Sequence, residues 1–166
     1  MAALRICFVC LGNICRSPTA EVVFGALLRG AGLEGDVHVC SAGTGDWHVG
    51  EGADPRAAAT LAGRGYRADG HRARQFAADW FTRHDLVIAM DRSNVSALRR
   101  LAPDEGARAK IRLLREYDAV AVRDGTLEVP DPYYGGPAGF DDVLDIVERA
   151  CQGLLAEVGA AVTGGR

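Results

Sequence analysis

The chain has 166 residues, 48% hydrophobic and 25% charged, the size and balance of one soluble globular domain that can bury a core without staples. Its net charge of −3 provides no global basic field for nucleic acid or an anionic membrane surface. Five irregularly spaced cysteines (Cys7, Cys10, Cys15, Cys40 and Cys151) make neither a disulfide framework nor paired zinc-finger spacing, and no apolar run reaches membrane-spanning length.

Residues 4–9 read as a buried strand. Ser17 and Pro18 then read as cap and first residue of a helix ending at Gly30 or Gly32. Residues 37–41 form a second short strand, and the glycine-rich stretch 42–52 reads as a loop holding Trp47. Asp54-Pro55 opens a helix to about residue 64, and a further helix is expected over 75–83. Residues 86–90 make the most apolar short run, expected as a central strand, followed by a helix over 92–101 and a strand over 111–114. Residues 115–139 show little periodicity and contain Pro130, Asp131-Pro132-Tyr133-Tyr134 and Gly135-Gly136-Pro137. A segment that long without regular structure is usually functional or disordered. The last helix is expected from about Phe140, with Val143, Leu144, Val147, Cys151, Leu154, Leu155 and Val158 at helical spacing and residues 163–166 frayed.

Strands alternating with helices predict one α/β domain over 1–166 with a parallel sheet. Ligands of such sheets bind beyond the carboxyl ends of the strands, where Cys10, Ser41 and Asp91 should meet. The N-terminal residues lack the charged and apolar regions of a signal peptide, so a reducing cytoplasm, which keeps thiols reduced, is the expected compartment.

Cys10 and Arg16 are the most informative pair. Five residues separate them, Leu11-Gly12-Asn13-Ile14-Cys15, between a strand and a helix. Such a loop can turn backbone N–H groups inward to form a nest for a tetrahedral oxyanion. Arg16 can close the nest with a bidentate clamp. Gly12 permits close approach or positive φ, and Asn13 tolerates the left-handed region. A thiol on the floor of an anion site becomes a thiolate nucleophile, and Ser17 can donate to its sulfur.

Cys10-Leu11-Gly12-Asn13-Ile14-Cys15-Arg16-Ser17-Pro18 resembles the phosphate-binding loop of the low-molecular-weight protein tyrosine phosphatases. The resemblance continues, in family order, at Ser41, Asp46-Trp47, Asp54-Pro55-Arg56-Ala57, the segment His71 to Gln75, Met90-Asp91 and Asp131-Pro132-Tyr133-Tyr134. It implies a four-stranded parallel sheet with helices on both faces and the phosphate loop between the first strand and first helix.

The resemblance implies residue roles as well. Cys10 attacks phosphorus, while Arg16 and the amides of residues 11–17 hold the phosphoryl oxygens. Asp131 protonates the leaving phenol oxygen and later activates water. Trp47, Tyr133 and Tyr134 wall a cleft for the substrate ring, with His48 placed to tune it. Asn13, Ser17, Ser41, His71 and Asp91 support the loop, and Cys15 can form a protective disulfide with Cys10. The implied partners are phosphotyrosine-containing proteins, with inorganic phosphate or vanadate as inhibitors, no metal or cofactor, no nucleic acid, no membrane and a monomeric chain.

Taken residue by residue, blander roles stay open. Asp131 can be a turn or capping aspartate, Trp47 a loop anchor and Cys15 a packing residue. Asn13, Ser41, His71 and Asp91 can be ordinary turn or cap residues. Cys7, Cys40 and Cys151 read as core fillers, and His38, His48 and His84 as surface or packing residues. Two other functions compete. An arsenate reductase of the same fold needs a resolving cysteine pair in mid-chain, yet no cysteine lies between Cys40 and Cys151. An inactive phosphotyrosine-binding module would be expected to lack Cys10, Arg16 or Asp131, and all three are present.

Overall fold

The computed structural model describes residues 3–136 and 138–164. At its centre is an all-parallel sheet of β1 (Leu4–Cys10), β2 (Val37–Gly43), β3 (Leu86–Ala89) and β4 (Ile111–Leu113), in the order β2-β1-β3-β4. Parallel neighbours need crossover connections, which the helices supply. α1 (Arg16–Gly30) links β1 to β2, and α2 (Pro55–Gly63) and α3 (Trp80–Arg83) lie between β2 and β3. α4 (Arg92–Leu101) and α5 (Glu105–Arg108) precede β4, and α6 (Ala119–Asp124) and α7 (Ala138–Gly164) follow it.

Side-chain alternation along β1 divides the core in two. Ile6, Phe8 and Cys10 join Val23, Phe24 and Leu28 of α1 and Val147 and Leu154 of α7 on one face. Cys7 and Val9 join Phe76, Phe81, Leu98 and Ala107 on the other. Both faces are therefore covered, as a parallel sheet requires. The chain leaves β1 toward β2 on one side and returns to β3 on the other. Cys10 ends β1 at this switch point, where α/β sheets open a crevice.

Several local expectations are corrected. The N-cap of α1 is Cys15, with no side-chain capping bond, so Ser17 is not the cap. Residues 75–79 are not helical, and α3 is only Trp80–Arg83. Gln75 instead forms an isolated parallel bridge with Gly43, and the Phe76 N–H donates to the Gly43 carbonyl at 2.8 Å. The stretch 115–139 is not irregular throughout. A 3-10 turn (Leu114–Tyr117) leads into α6, capped by Asp118 and closed by Gly125 at φ 73°. Thr163 and Gly164 are helical rather than frayed, whereas Pro137, Gly165 and Arg166 lie outside the described residues. No described helix is long and apolar enough to cross a membrane.

Candidate active site

The loop between β1 and α1 is held from outside by its carbonyls. Those of Cys10 and Leu11 accept from the N–H groups of Thr44 and Gly45, both at 2.9 Å. That of Ile14 accepts from Asp54 N–H at 2.8 Å, and that of Cys15 from Thr19 Oγ1 at 2.7 Å. The Asn13 carbonyl accepts from His71 Nε2 at 2.7 Å. In a planar trans peptide the following N–H points opposite to the carbonyl. The amides of Leu11, Gly12, Ile14, Cys15 and Arg16 thus turn away from the scaffold. Asn13 N–H itself donates to Cys10 Sγ at 3.3 Å.

Asn13 is the only non-glycine with positive φ among the described residues, at 58°. That conformation costs about 1–2 kcal/mol in an ordinary L-residue. The fully buried side chain offsets it with three bonds. Nδ2 donates to Ser17 Oγ at 2.8 Å and to Ser41 Oγ at 2.9 Å, and Oδ1 accepts from Arg74 N–H at 2.9 Å. Ser41 Oγ in turn donates a hydrogen bond to Glu21 Oε1 at 2.7 Å. Ser17 Oγ, already accepting from Asn13, lies 3.0 Å from Cys10 Sγ and can donate to it. Two glycines allow this closeness. A Cβ on Gly43 would lie 2.8 Å from the Leu11 carbonyl oxygen, and one on Gly12 would lie 3.0 Å from His48 Cδ2. Gly12 thus provides close approach, while the positive φ falls on Asn13.

Arg16 is 2% exposed. Its Nη1 donates to Asp91 Oδ2 at 2.6 Å and to the Val129 carbonyl at 3.0 Å, and Nη2 lies 3.4 Å from Asp131 Oδ2. Burial alone would lower its pKa. The opposing charges of Cys10, Asp91 and Asp131 more than reverse that, and the guanidinium stays charged. Asp91 also caps α4 by accepting from Asn94 N–H at 2.8 Å, so one carboxylate both starts a helix and orients the arginine. Burial, followed by the charges of Asp54 and Cys10, pushes the Cys15 thiol up to about 12.

A cleft of about 380 Å³ opens over this loop. Cys10, Arg16 and Asp131 line its depth; Trp47, His48, Tyr133 and Tyr134 line its walls. Trp47 is 70% and Tyr134 93% exposed. Tyr133 is half-buried, edge-on to Tyr134 with ring centroids 4.9 Å apart, and the Arg56 guanidinium lies 5.3 Å from its ring centre. Asp131 accepts from the Tyr133 N–H at 3.1 Å and keeps 39% of its side chain exposed.

The structure therefore brings every expected site residue to one sheet edge. The sequence reading missed Glu21, Arg56, Arg74 and the Val129 carbonyl. Glu21 lies on α1, Arg56 on α2 and Arg74 in the segment before α3; Arg56 and Arg74 fall within segments that carry the resemblance, but nothing in their spacing signals a partner. A backbone acceptor such as Val129 has no signal at all.

Comparison with known proteins agrees with this geometry. Residues 5–163 match the family described as low molecular weight phosphotyrosine protein phosphatase. A low molecular weight protein-tyrosine-phosphatase of Streptomyces coelicolor is 59% identical over 160 residues, covering 96% of each chain. The crystal structure of a protein tyrosine phosphatase from Entamoeba histolytica, with Hepes in its active site, superposes with TM-score 0.89 at 36% identity, covering 96% of this chain and 99% of that one. YfkJ from Bacillus subtilis superposes with TM-score 0.90 at 35% identity, covering 97% and 98%. With a family match across nearly the whole chain and relatives of this identity, the chain belongs to the low molecular weight phosphotyrosine protein phosphatase family.

Proposed function

We propose that this chain hydrolyses phosphotyrosine in proteins, and small aryl phosphates, through a phosphocysteine intermediate and without a metal ion. The observation that carries this is one cradle in which Cys10 Sγ lies beneath outward-held carbonyls and inward-facing amides, with Arg16 and Asp131 at its mouth. The Cys10 thiolate attacks phosphorus in line, forming an S–P bond as the P–O bond to the phenol breaks. Loop amides and Arg16 hold the three non-bridging oxygens and carry their charge, the part a metal plays in other phosphoryl-transfer sites. Asp131 gives its proton to the departing oxygen. Water then attacks phosphorus and yields a proton to Asp131; the Cys10 thiolate leaves, taking its electron pair and accepting from Ser17. The Hepes bound by the Entamoeba relative carries a sulfonate, a tetrahedral anion suited to the same cradle.

Aromatic walls select the ester. Trp47 and Tyr133 present flat apolar surface to a phenyl ring, and a phosphoserine has neither the ring nor the reach to use it. The expected setting is a monomer in a reducing cytoplasm.

Turnover of p-nitrophenyl phosphate in excess EDTA tests this reading. Full activity is expected, with competitive inhibition by phosphate and vanadate; no turnover would overturn it. Reduced thioredoxin should not be oxidised when arsenate is supplied, which separates the arsenate-reductase alternative.

Cys15 has a proposed protective role. A hydroperoxide oxidises the Cys10 thiolate to the sulfenic acid, and the Cys15 sulfur then attacks it, forming a disulfide and releasing water. After a brief peroxide pulse, dithiothreitol should restore most activity in the native chain and far less in Cys15→Ser. Equal recovery in both would remove the role.

A further inference from the structure

On the sheet face opposite Cys10, the fold gathers three groups that the sequence keeps far apart: Cys7 on β1, Cys40 on β2 and His84 just after α3. The sequence shows no metal-ligand spacing here, because the juxtaposition depends on strand register and not on local spacing. Cys7 and Cys40 are register partners in adjacent parallel strands, so their sulfurs leave the same face. The ligand atoms of all three residues lie within 4.8 Å of one another. His84 Nε2 is 3.2 Å from the Cys40 sulfur, and its Nδ1 is 2.8 Å from the Trp80 carbonyl oxygen. A carbonyl only accepts, so Nδ1 carries a proton, and loss of the other ring proton on metal binding leaves the Nε2 lone pair facing the sulfurs. A backbone carbonyl behind the ring is the usual way in which a metal-ligating histidine is oriented.

Two thiols and an imidazole make a donor set for a thiophilic cation of tetrahedral preference; Mg²⁺ and Ca²⁺ take oxygen ligands, and none of the three groups supplies one. We propose that Cys7, Cys40 and His84 form a Zn²⁺ site, with the fourth position open to water or an external ligand. Binding makes two Zn–S bonds and one Zn–N bond and releases to solvent the protons still held by the two sulfurs and His84 Nε2. Two thiolates neutralise the ion, so the Arg74 guanidinium, 5.2 Å from the Trp80 ring centre and 3.5 Å from the Ser41 carbonyl, does not oppose it. β2 is an edge strand, and the ion would tie it to β1 and to the segment after α3. Cys40 directly precedes Ser41, the hydroxyl that receives Asn13. The ion therefore braces the loop from behind without entering the cleft, and its effect falls on stability more than on turnover.

The test uses the full chain carrying Cys10→Ser and Cys15→Ser, reduced and stripped of metal, so that the cleft thiols cannot contribute. Titration with Co²⁺ should give one equivalent bound, with thiolate-to-cobalt charge-transfer absorption, displaced by one equivalent of Zn²⁺. Zn²⁺ at 100-fold over its dissociation constant should raise Tm by roughly 5–10 °C. Adding Cys40→Ser should abolish the charge-transfer bands, and His84→Gln, at a half-exposed position, should weaken binding at least tenfold. Absence of thiolate-to-cobalt absorption in the parent, or unchanged uptake in both added variants, would overturn the site.

Discussion

Cys10→Ser should lower turnover of every aryl phosphate by roughly 10⁴-fold or more, the scale on which loss of a covalent nucleophile acts. A serine hydroxyl in the same position is un-ionised at neutral pH and cannot form the S–P bond. The cradle should survive. The carbonyl bonds that hold the loop involve backbone atoms or His71 and Thr19, and Asn13 keeps its bonds to Ser17, Ser41 and Arg74. Phosphate should bind the variant as well as the native chain or better, because a neutral hydroxyl replaces a thiolate against an anion. Thermal shift provides the control: at 100-fold over its dissociation constant, phosphate stabilises the folded state by about 2.7 kcal/mol. Loss of turnover with phosphate protection retained isolates the chemistry. Turnover within tenfold of the native chain would show that Cys10 is not the nucleophile.

The core of the site is legible in the sequence because local rules govern it. A buried strand, a loop with Gly12 and Asn13 and a helix with Pro18 in its first turn place Cys10 and Arg16 at the two ends of one short loop at the helix N-terminus. Where reading and structure part, long-range contacts decide. Ser17 looks like a cap because serine before proline usually is one. In the fold its hydroxyl is drawn to Cys10 and Asn13, and the helix begins two residues earlier, at Arg16 after Cys15. Residues 75–79 carry helix-compatible side chains, yet Gly43 takes the Phe76 N–H and the Arg74 carbonyl in an isolated bridge that extends the edge of the sheet beside the loop, so no helix starts at Gln75. α6 is hidden because six residues are too few to show a period, although Asp118 and Gly125 mark its ends. The Cys7–Cys40–His84 cluster depends on the β1–β2 register and on where α3 stops, neither of which is written locally.

Asp131→Ala should slow hydrolysis of phosphotyrosine by about 10²–10⁴-fold, the usual contribution of a positioned general acid. The structure gives this carboxyl two anchors. Its Oδ1 accepts from the Tyr133 N–H at 3.1 Å, and Pro130 and Pro132 restrict the backbone on either side. Its Oδ2 lies 3.4 Å from Arg16 Nη2, while Arg16 Nη1 is engaged by Asp91 and the Val129 carbonyl. An arriving phosphate competes for Nη2, freeing Oδ2 to face the bridging oxygen, while Asp91 keeps the guanidinium in place. The leaving group supplies the decisive comparison. A phenolate with a strongly withdrawing nitro group departs with little help, so p-nitrophenyl phosphate should lose much less rate than phosphotyrosine or phenyl phosphate. Plotting log kcat/KM, which stops at expulsion of the phenol and excludes hydrolysis of the phosphocysteine, against leaving-group pKa should give a steep negative slope in the variant and a shallow one in the native chain. Equal losses across the series would instead assign Asp131 to holding Arg16 and the cleft wall, leaving the proton to come from solvent.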